Sequence, residues 1–257
     1  MNDVLEHYRD FLKDSVRLKI DFSQTDQSRG LPPPPVEKPF SAEAKCIDLP
    51  AKGTWKNIPD ADLASAIDRR RSHRHYRTKP LTLEEISFLL WATQGAQQVL
   101  GSGSVRRTVP SAGCRHALET YLCALNVRDL ARGVYRYLPL EHQLVLEFED
   151  DQLATKVVSA TYDQSFTGQA AVVFVWAAIP CRMEWRYDIA AHKVILLDAG
   201  HVCQNLYLAC DAIGAGTCAI AAYHQELMDR LIRVDGEDEF VIYMAPVGKI
   251  SQGVRDE

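Results

Sequence analysis

Apolar residues recur along this chain at two spacings, and the switches between them mark out its elements. Residues 4–19 place Leu5, Tyr8, Leu12 and Val16 on roughly one face of a helix. Residues 60–70 repeat that spacing in miniature, with Leu63 and Ile67 one turn apart on the apolar side. Thr82-Leu83-Glu84-Glu85 has the form of a capping box, which predicts a helix start and turns Ile86, Leu89 and Leu90 inward. Residues 119–127, 133–138 and 142–148 read as strands, and Pro139-Leu140-Glu141 turns the last two into a hairpin. Residues 170–179 are almost wholly apolar, as expected of a central strand buried on both faces. The longest helical stretch, 193–213, is apolar nearly all round. Its Ala199, Gly200, Ala209 and Ala212 permit close backbone approach, which suits a core or a subunit interface. Gly214 and Gly216 end it. A short helix over 226–234 and a strand over 239–245 complete the set. Helices and strands mix without a regular βαβ repeat, so the pattern predicts an α+β sandwich rather than a doubly wound sheet.

Two stretches lack periodicity. Residues 20–59 hold Pro32-Pro33-Pro34-Pro35 and read as an extended arm wrapped over a surface, a spacer more readily than an SH3-type ligand. The chain thus divides into a helix and proline-rich arm over 1–59 and a folded domain over 60–257. Residues 95–108 read as a flexible Gly/Ser loop, because Gly101-Ser102-Gly103-Ser104 lacks the strand–turn–helix setting of a phosphate cradle.

Composition narrows the class. With 257 residues, 47% of them hydrophobic, the chain can bury a substantial core. It has no apolar run of 18 residues, and its first 20 residues are charged throughout, so neither a membrane span nor a secretory signal is expected. Seven cysteines without a Cys-x-x-Cys pair point to a reducing, cytoplasmic setting and away from disulfides or a zinc site. A net charge of -5, without interleaved basic and aromatic residues, gives nucleic-acid binding no support.

One segment runs against that acidic balance. Arg69-Arg70-Arg71-Ser72-His73-Arg74 gathers four arginines and a serine at a helix end. Guanidinium forks match phosphate bidentately, although a solvated basic helix end would also suit the helix dipole. Further along come Pro110-Ser111-Ala112-Gly113, the run from Leu197 through Asp198, Asn205 and Leu206, and Ala245-Pro246-Val247-Gly248-Lys249. Together, in this order, these motifs resemble the nitroreductase-like flavoproteins, most closely their SagB-type dehydrogenase branch, which oxidises thiazolines and oxazolines in modified peptides. The likeness runs from about residue 60 to 249.

The resemblance implies a nitroreductase-like sandwich with a central mixed or antiparallel sheet flanked by helices. It also implies FMN held without a covalent bond at the interface of a homodimer. On this reading Arg70, Arg71, Ser72, Arg74 and Lys249 would hold the phosphate. Pro110, Ser111, Ala112 and Gly113 would lie against the partner's flavin, with Gln164, Ala219, Ile220, Ala221 and Ala222 along its own. Asn205 would make a hydrogen bond across the dimer. Azoline-oxidising relatives carry a Lys-Tyr pair before the long helix, where this chain has Arg186 and Tyr187. Arginine cannot act as a base, so Tyr187 and Lys193 are the candidate proton-transfer residues, with His192 and His201 nearby. The implied activity is an FMN-dependent oxidoreductase acting on a peptide or small molecule, with NAD(P)H a possible donor. The alternative is a catalytically weak flavin-fold scaffold or binding subunit of a peptide-modifying complex.

Overall fold

A computed structural model describes residues 2–101 and 103–251. Ser102, in the Gly/Ser segment singled out above, lies outside the described residues. Helix α1 (Asn2–Phe11) precedes strand β1 (Cys46–Asp48), helices α2 (Leu63–Arg69) and α3 (Leu83–Gln94), and a hairpin of β2 (Ala96–Leu100) and β3 (Ser104–Arg107). Strands β4 (Leu118–Ala124), β5 (Gly133–Leu138) and β6 (Gln143–Glu149) follow, then helices α4 (Leu153–Ala160) and α5 (Phe166–Gln169). Strand β7 (Val172–Ala178), helices α6 (Cys181–Tyr187) and α7 (Ala191–Ala212), strand β8 (Ala215–Thr217), helix α8 (Gln225–Ile232) and strand β9 (Phe240–Lys249) close the order.

The main sheet has seven strands in the order β1-β6-β5-β4-β7-β9-β8, and each paired neighbour is antiparallel. Among the described residues, parallel pairing occurs only as isolated bridges, Ser72 to Thr217 and Leu81 to Val127. Strand β7 shows why the layers form. Its side chains alternate between faces. Val172, Phe174 and Trp176 pack with Ile86, Leu89 and Leu90 of α3 and with Ile195, Val202 and Leu206 of α7. Val173, Val175 and Ala177 pack with Val157 of α4 and with Met228 and Ile232 of α8. The result is the expected α+β sandwich, helices on both faces of an antiparallel sheet. The capping box at Thr82 and Glu85 forms in both directions.

Two expectations change, and the longest helix keeps an open strip. The helix over 4–19 stops at Phe11 and gives way to a 3-10 turn, with Leu5, Tyr8 and Leu12 exposed; an amphipathic face with nothing beneath it does not sustain a long helix. Residues 95–108 form the β2–β3 hairpin rather than a loop, and Gln97, Gln98 and Val99 are exposed, so no apolar alternation could announce it. Helix α7 is not buried all round within one chain. Its Leu196 and Leu197 are about half exposed, beside exposed Gly200, His201 and Gln204.

The proline-rich arm is gripped by buried arginines. Prolines lack an N–H, and an extended polyproline backbone leaves its carbonyls unpaired. Arg115 donates to the Pro34 carbonyl at 3.0 Å, Arg107 to Val36 at 2.9 Å, and Arg136 to Lys38 at 2.8 Å. All three arginines are buried. The Lys38 N–H returns a bond to buried Glu119, which also pairs with Arg182. Trp185 of α6 donates its indole N–H to Leu31 and accepts from the Gln27 N–H.

Candidate functional site

Asp62 caps α2 through the Ser65 N–H, and beyond Arg69 the chain runs extended across the ends of β8 and β9. There the His73 N–H donates to Thr217 at 2.9 Å and the Arg77 N–H to Lys249 at 2.7 Å. Two glycines make room. A Cβ on Gly216 would lie 2.7 Å from His73, and one on Gly248 would lie 2.8 Å from Tyr76. The fold thus lays the arginine segment along the Thr217 and Lys249 backbones, although the two are far apart in sequence.

The arginines then differ. Arg69 pairs with Asp211 at 2.7 Å. Arg70 stacks over Tyr207, Arg71 donates to the carbonyls of Asp68 and Arg70, and Arg74 lies 6.0 Å from the Phe166 ring centre. Among the described residues, no carboxylate pairs with Arg70, Arg71 or Arg74. Three guanidiniums without counter-ions, beside an exposed serine in an acidic chain, fit a dianionic phosphate. Lys249 is placed otherwise. Its ammonium is buried between the Glu85 carboxylate and the Ile213 carbonyl, each at 2.5 Å, so its backbone rather than its charge borders the arginine segment.

A second element joins this region. The Gln164 amide donates to the Ala222 carbonyl at 3.0 Å, tying α5's approach to the loop after β8. In that loop Ala219 donates its N–H to the Tyr207 hydroxyl at 2.8 Å. Ile220 exchanges backbone bonds with Met244 at 2.8 and 3.2 Å, so its N–H is already used. Ala221 and Ala222 stand exposed.

The Pro110-Ser111-Ala112-Gly113 turn forms a separate cluster. Gly113 has a φ of 61°, and a Cβ there would lie 2.7 Å from the Tyr187 hydroxyl. Arg186 lies over the Tyr187 ring, 5.5 Å from its centre, so this pair and the turn share one place. Buried Asp198 of α7 faces Ser111 and Ala112, and its Oδ2 has no hydrogen-bond partner among the described residues; burial holds its carboxyl above the usual carboxylate range. Lys193 donates to the Leu12 carbonyl at 2.6 Å, and His192 meets Glu184 at 2.7 Å. Lys193 is therefore engaged with the N-terminal segment. The Asn205 amide nitrogen donates to the Ala92 carbonyl at 2.8 Å within its own chain.

Asp198 and Tyr207 mark the two clusters on one helix. Nine residues at 1.5 Å each separate them by roughly 14 Å along α7. Between α2, α3 and α7 lies a cavity of about 440 Å³ lined by Lys52, Leu63, Phe88, Trp91 and Asn205. The sequence reading passed over Tyr207 and gave Asp198 no role of its own. The available signal was a polar group in the middle of an apolar helix, which must find a partner when buried. Among the described residues, no three His, Cys, Asp or Glu side chains gather as metal ligands, and no helix is long and apolar enough to cross a membrane.

An antiparallel sheet between two helical layers, with an arginine segment across its last strands, defines the nitroreductase class of fold. The chain belongs to the nitroreductase family, whose model matches residues 67–249. It is 31% identical over 193 residues to MJ1384 of Methanocaldococcus jannaschii, described as a nitroreductase; the match covers 75% of this chain and 93% of that one. It is 28% identical over 143 residues to the microcin B17-processing protein McbC of Escherichia coli, covering 52% of this chain and only 50% of McbC. A chain of the E. coli microcin synthetase McbBCD complex, solved with truncated pro-MccB17 bound, shares the fold at TM-score 0.60 and 20% identity. That likeness covers 98% of this chain and 94% of the other.

Proposed function

We propose that this nitroreductase-family protein is an FMN-dependent oxidoreductase that works as a homodimer in the cytoplasm. The observation that carries the reading is the set of three guanidiniums without carboxylate partners, next to Ser72, where the arginine segment meets β8 and β9. Bound FMN would supply a hydride acceptor and donor at its ring. Arg70, Arg71, Ser72 and Arg74 would hold its phosphate, with Lys249 fixing the strand end behind them. Gln164 braces the loop bearing Ala221 and Ala222, which would face the ring.

The turn of Pro110, Ser111, Ala112 and Gly113 stands roughly 14 Å along α7 from the arginine cluster. Half-exposed Leu196 and Leu197 support a second chain at that helix, so the turn and Tyr187 would serve the partner's cofactor. Tyr187 is the group that would give or take a proton at the substrate, with Arg186 steadying its charged form. The substrate is a peptide or a small electrophile, with NAD(P)H as donor in the second case. A binding or scaffold role in a peptide-modifying complex is the other reading, favoured by Arg186 standing where azoline-oxidising relatives have lysine.

Mass spectrometry of the cofactor released by acid or heat tests the proposal; about one FMN per chain is expected, and FAD or no flavin after reconstitution rejects it. Arg71→Ala or Arg74→Ala should weaken FMN binding roughly ten- to a hundred-fold, the loss of one charge-assisted contact. Arg69→Ala should change it little, since Arg69 is paired with Asp211. Equal losses at all three positions would point to a solvated helix end.

A further inference from the structure

The Tyr207 hydroxyl occupies a junction between the two elements of the arginine site. It accepts the Ala219 N–H at 2.8 Å and lies 3.0 Å from Ser72 Oγ. The Arg70 guanidinium covers its ring, 5.3 Å from the centre. One phenol on α7 therefore meets the arginine segment on one side and the loop after β8 on the other.

The direction of these bonds follows from the donors present. A backbone N–H can only donate, so Tyr207 Oη is the acceptor from Ala219. The phenol still carries its own proton, and Ser72 Oγ is within reach of it. With the Tyr207 O–H donating to Ser72 Oγ, the serine keeps a free proton for a third group. Each bond in such a chain polarises the next, which makes the last hydroxyl a better donor. Ser72 is exposed and sits among guanidiniums that lack carboxylate partners.

We propose that Tyr207 is a positioning residue for anion binding, orienting the Ser72 hydroxyl outward as a hydrogen-bond donor to a phosphate monoester. This rests on the FMN reading above, and the monoester is that of FMN. Tyr207 touches no ligand itself. It sets the direction of a donor that does, and it couples the arginine segment to the loop facing the ring.

Riboflavin, which lacks only the phosphate, separates this role from simple packing. FMN and riboflavin would be titrated into flavin-free wild type, Tyr207→Phe, Ser72→Ala and the double variant, following flavin fluorescence. Tyr207→Phe should weaken FMN binding about tenfold, the loss of one hydrogen bond to a charged group, and leave riboflavin binding unchanged. Ser72→Ala, at an exposed position, should show the same selectivity, and the double variant should bind FMN no more weakly than Ser72→Ala alone. Equal loss of both ligands in Tyr207→Phe, additive losses in the double variant, or no change would each overturn the inference. A wild type that binds neither flavin defeats the FMN reading itself. A wild type that binds FMN as tightly as Tyr207→Phe does defeats the Tyr207 role alone.

Discussion

His116 should make the fold acid-sensitive by a calculable amount. The residue is buried behind the Ser111 turn, its Nε2 2.8 Å from the Val105 carbonyl. Burial, aided by the nearby Arg107 guanidinium, pushes its pKa down from 6.5 to about 3. The unfolded chain therefore binds a proton near pH 6.5 that the folded chain refuses until about pH 3. Stability from this group is complete above pH 6.5 and falls as pH drops toward the folded value. At pH 5 the difference comes to about 2 kcal/mol, from about 1.4 kcal/mol per pH unit across the interval already titrated. His116→Gln keeps a donor for Val105 and removes the titration. Urea unfolding of wild type and variant between pH 7 and pH 4.5 reads the effect as a difference in slope, whatever constant offset the substitution brings. His142, also held below its usual pKa by burial, is common to both proteins and cancels. Stability curves that run parallel from pH 7 to pH 4.5 would refute the reasoning.

Gly216→Ala would drive a Cβ to 2.7 Å from His73 and should cost about 1–3 kcal/mol, the range for overpacking, while displacing the arginine segment; thermal unfolding and FMN titration check it. Glu119→Gln would leave the buried Arg182 guanidinium without its carboxylate, while Arg136 keeps Glu147, and should destabilise by about 3–5 kcal/mol in denaturant unfolding. The protein should oxidise a thiazoline peptide slowly, because Arg186 supplies no base, and Arg186→Lys should raise that rate while flavin reduction by NAD(P)H in stopped flow stays unchanged. Fast wild-type oxidation that the lysine does not improve would contradict that role for position 186.

Strand β7 and helix α3 were legible in the sequence because their burial is completed by local pattern. A run such as Val172 to Ala178 has few other places to go, and the Thr82 box announces its own start. The β2–β3 hairpin was hidden because Gln97, Gln98 and Val99 of β2 are all exposed and β3 buries an arginine, Arg107, beside Val105, so neither strand shows apolar alternation. The arginine segment and the Ala219 loop could each be proposed for the site. Their meeting on Tyr207 could not, since it depends on contacts 135 residues apart. Lys249 shows the opposite limit. Its charge matched a phosphate partner by motif, but only the fold reveals that Glu85 already neutralises it.

The arm's attachments also have a consequence in time. Lys38 finds its partner Glu239 only 201 residues later in the chain. At a synthesis rate of about 5–20 residues per second, that is a wait of roughly 10–40 s on the ribosome. A polyproline stretch is well suited to waiting, since its backbone stays hydrated and has few N–H groups with which to begin a wrong sheet. The segment made earlier would thus be seated late, after Arg107, Arg115 and Arg136 have been gathered by the sheet. Of the segments described, the arm would be made before the sheet and seated after it.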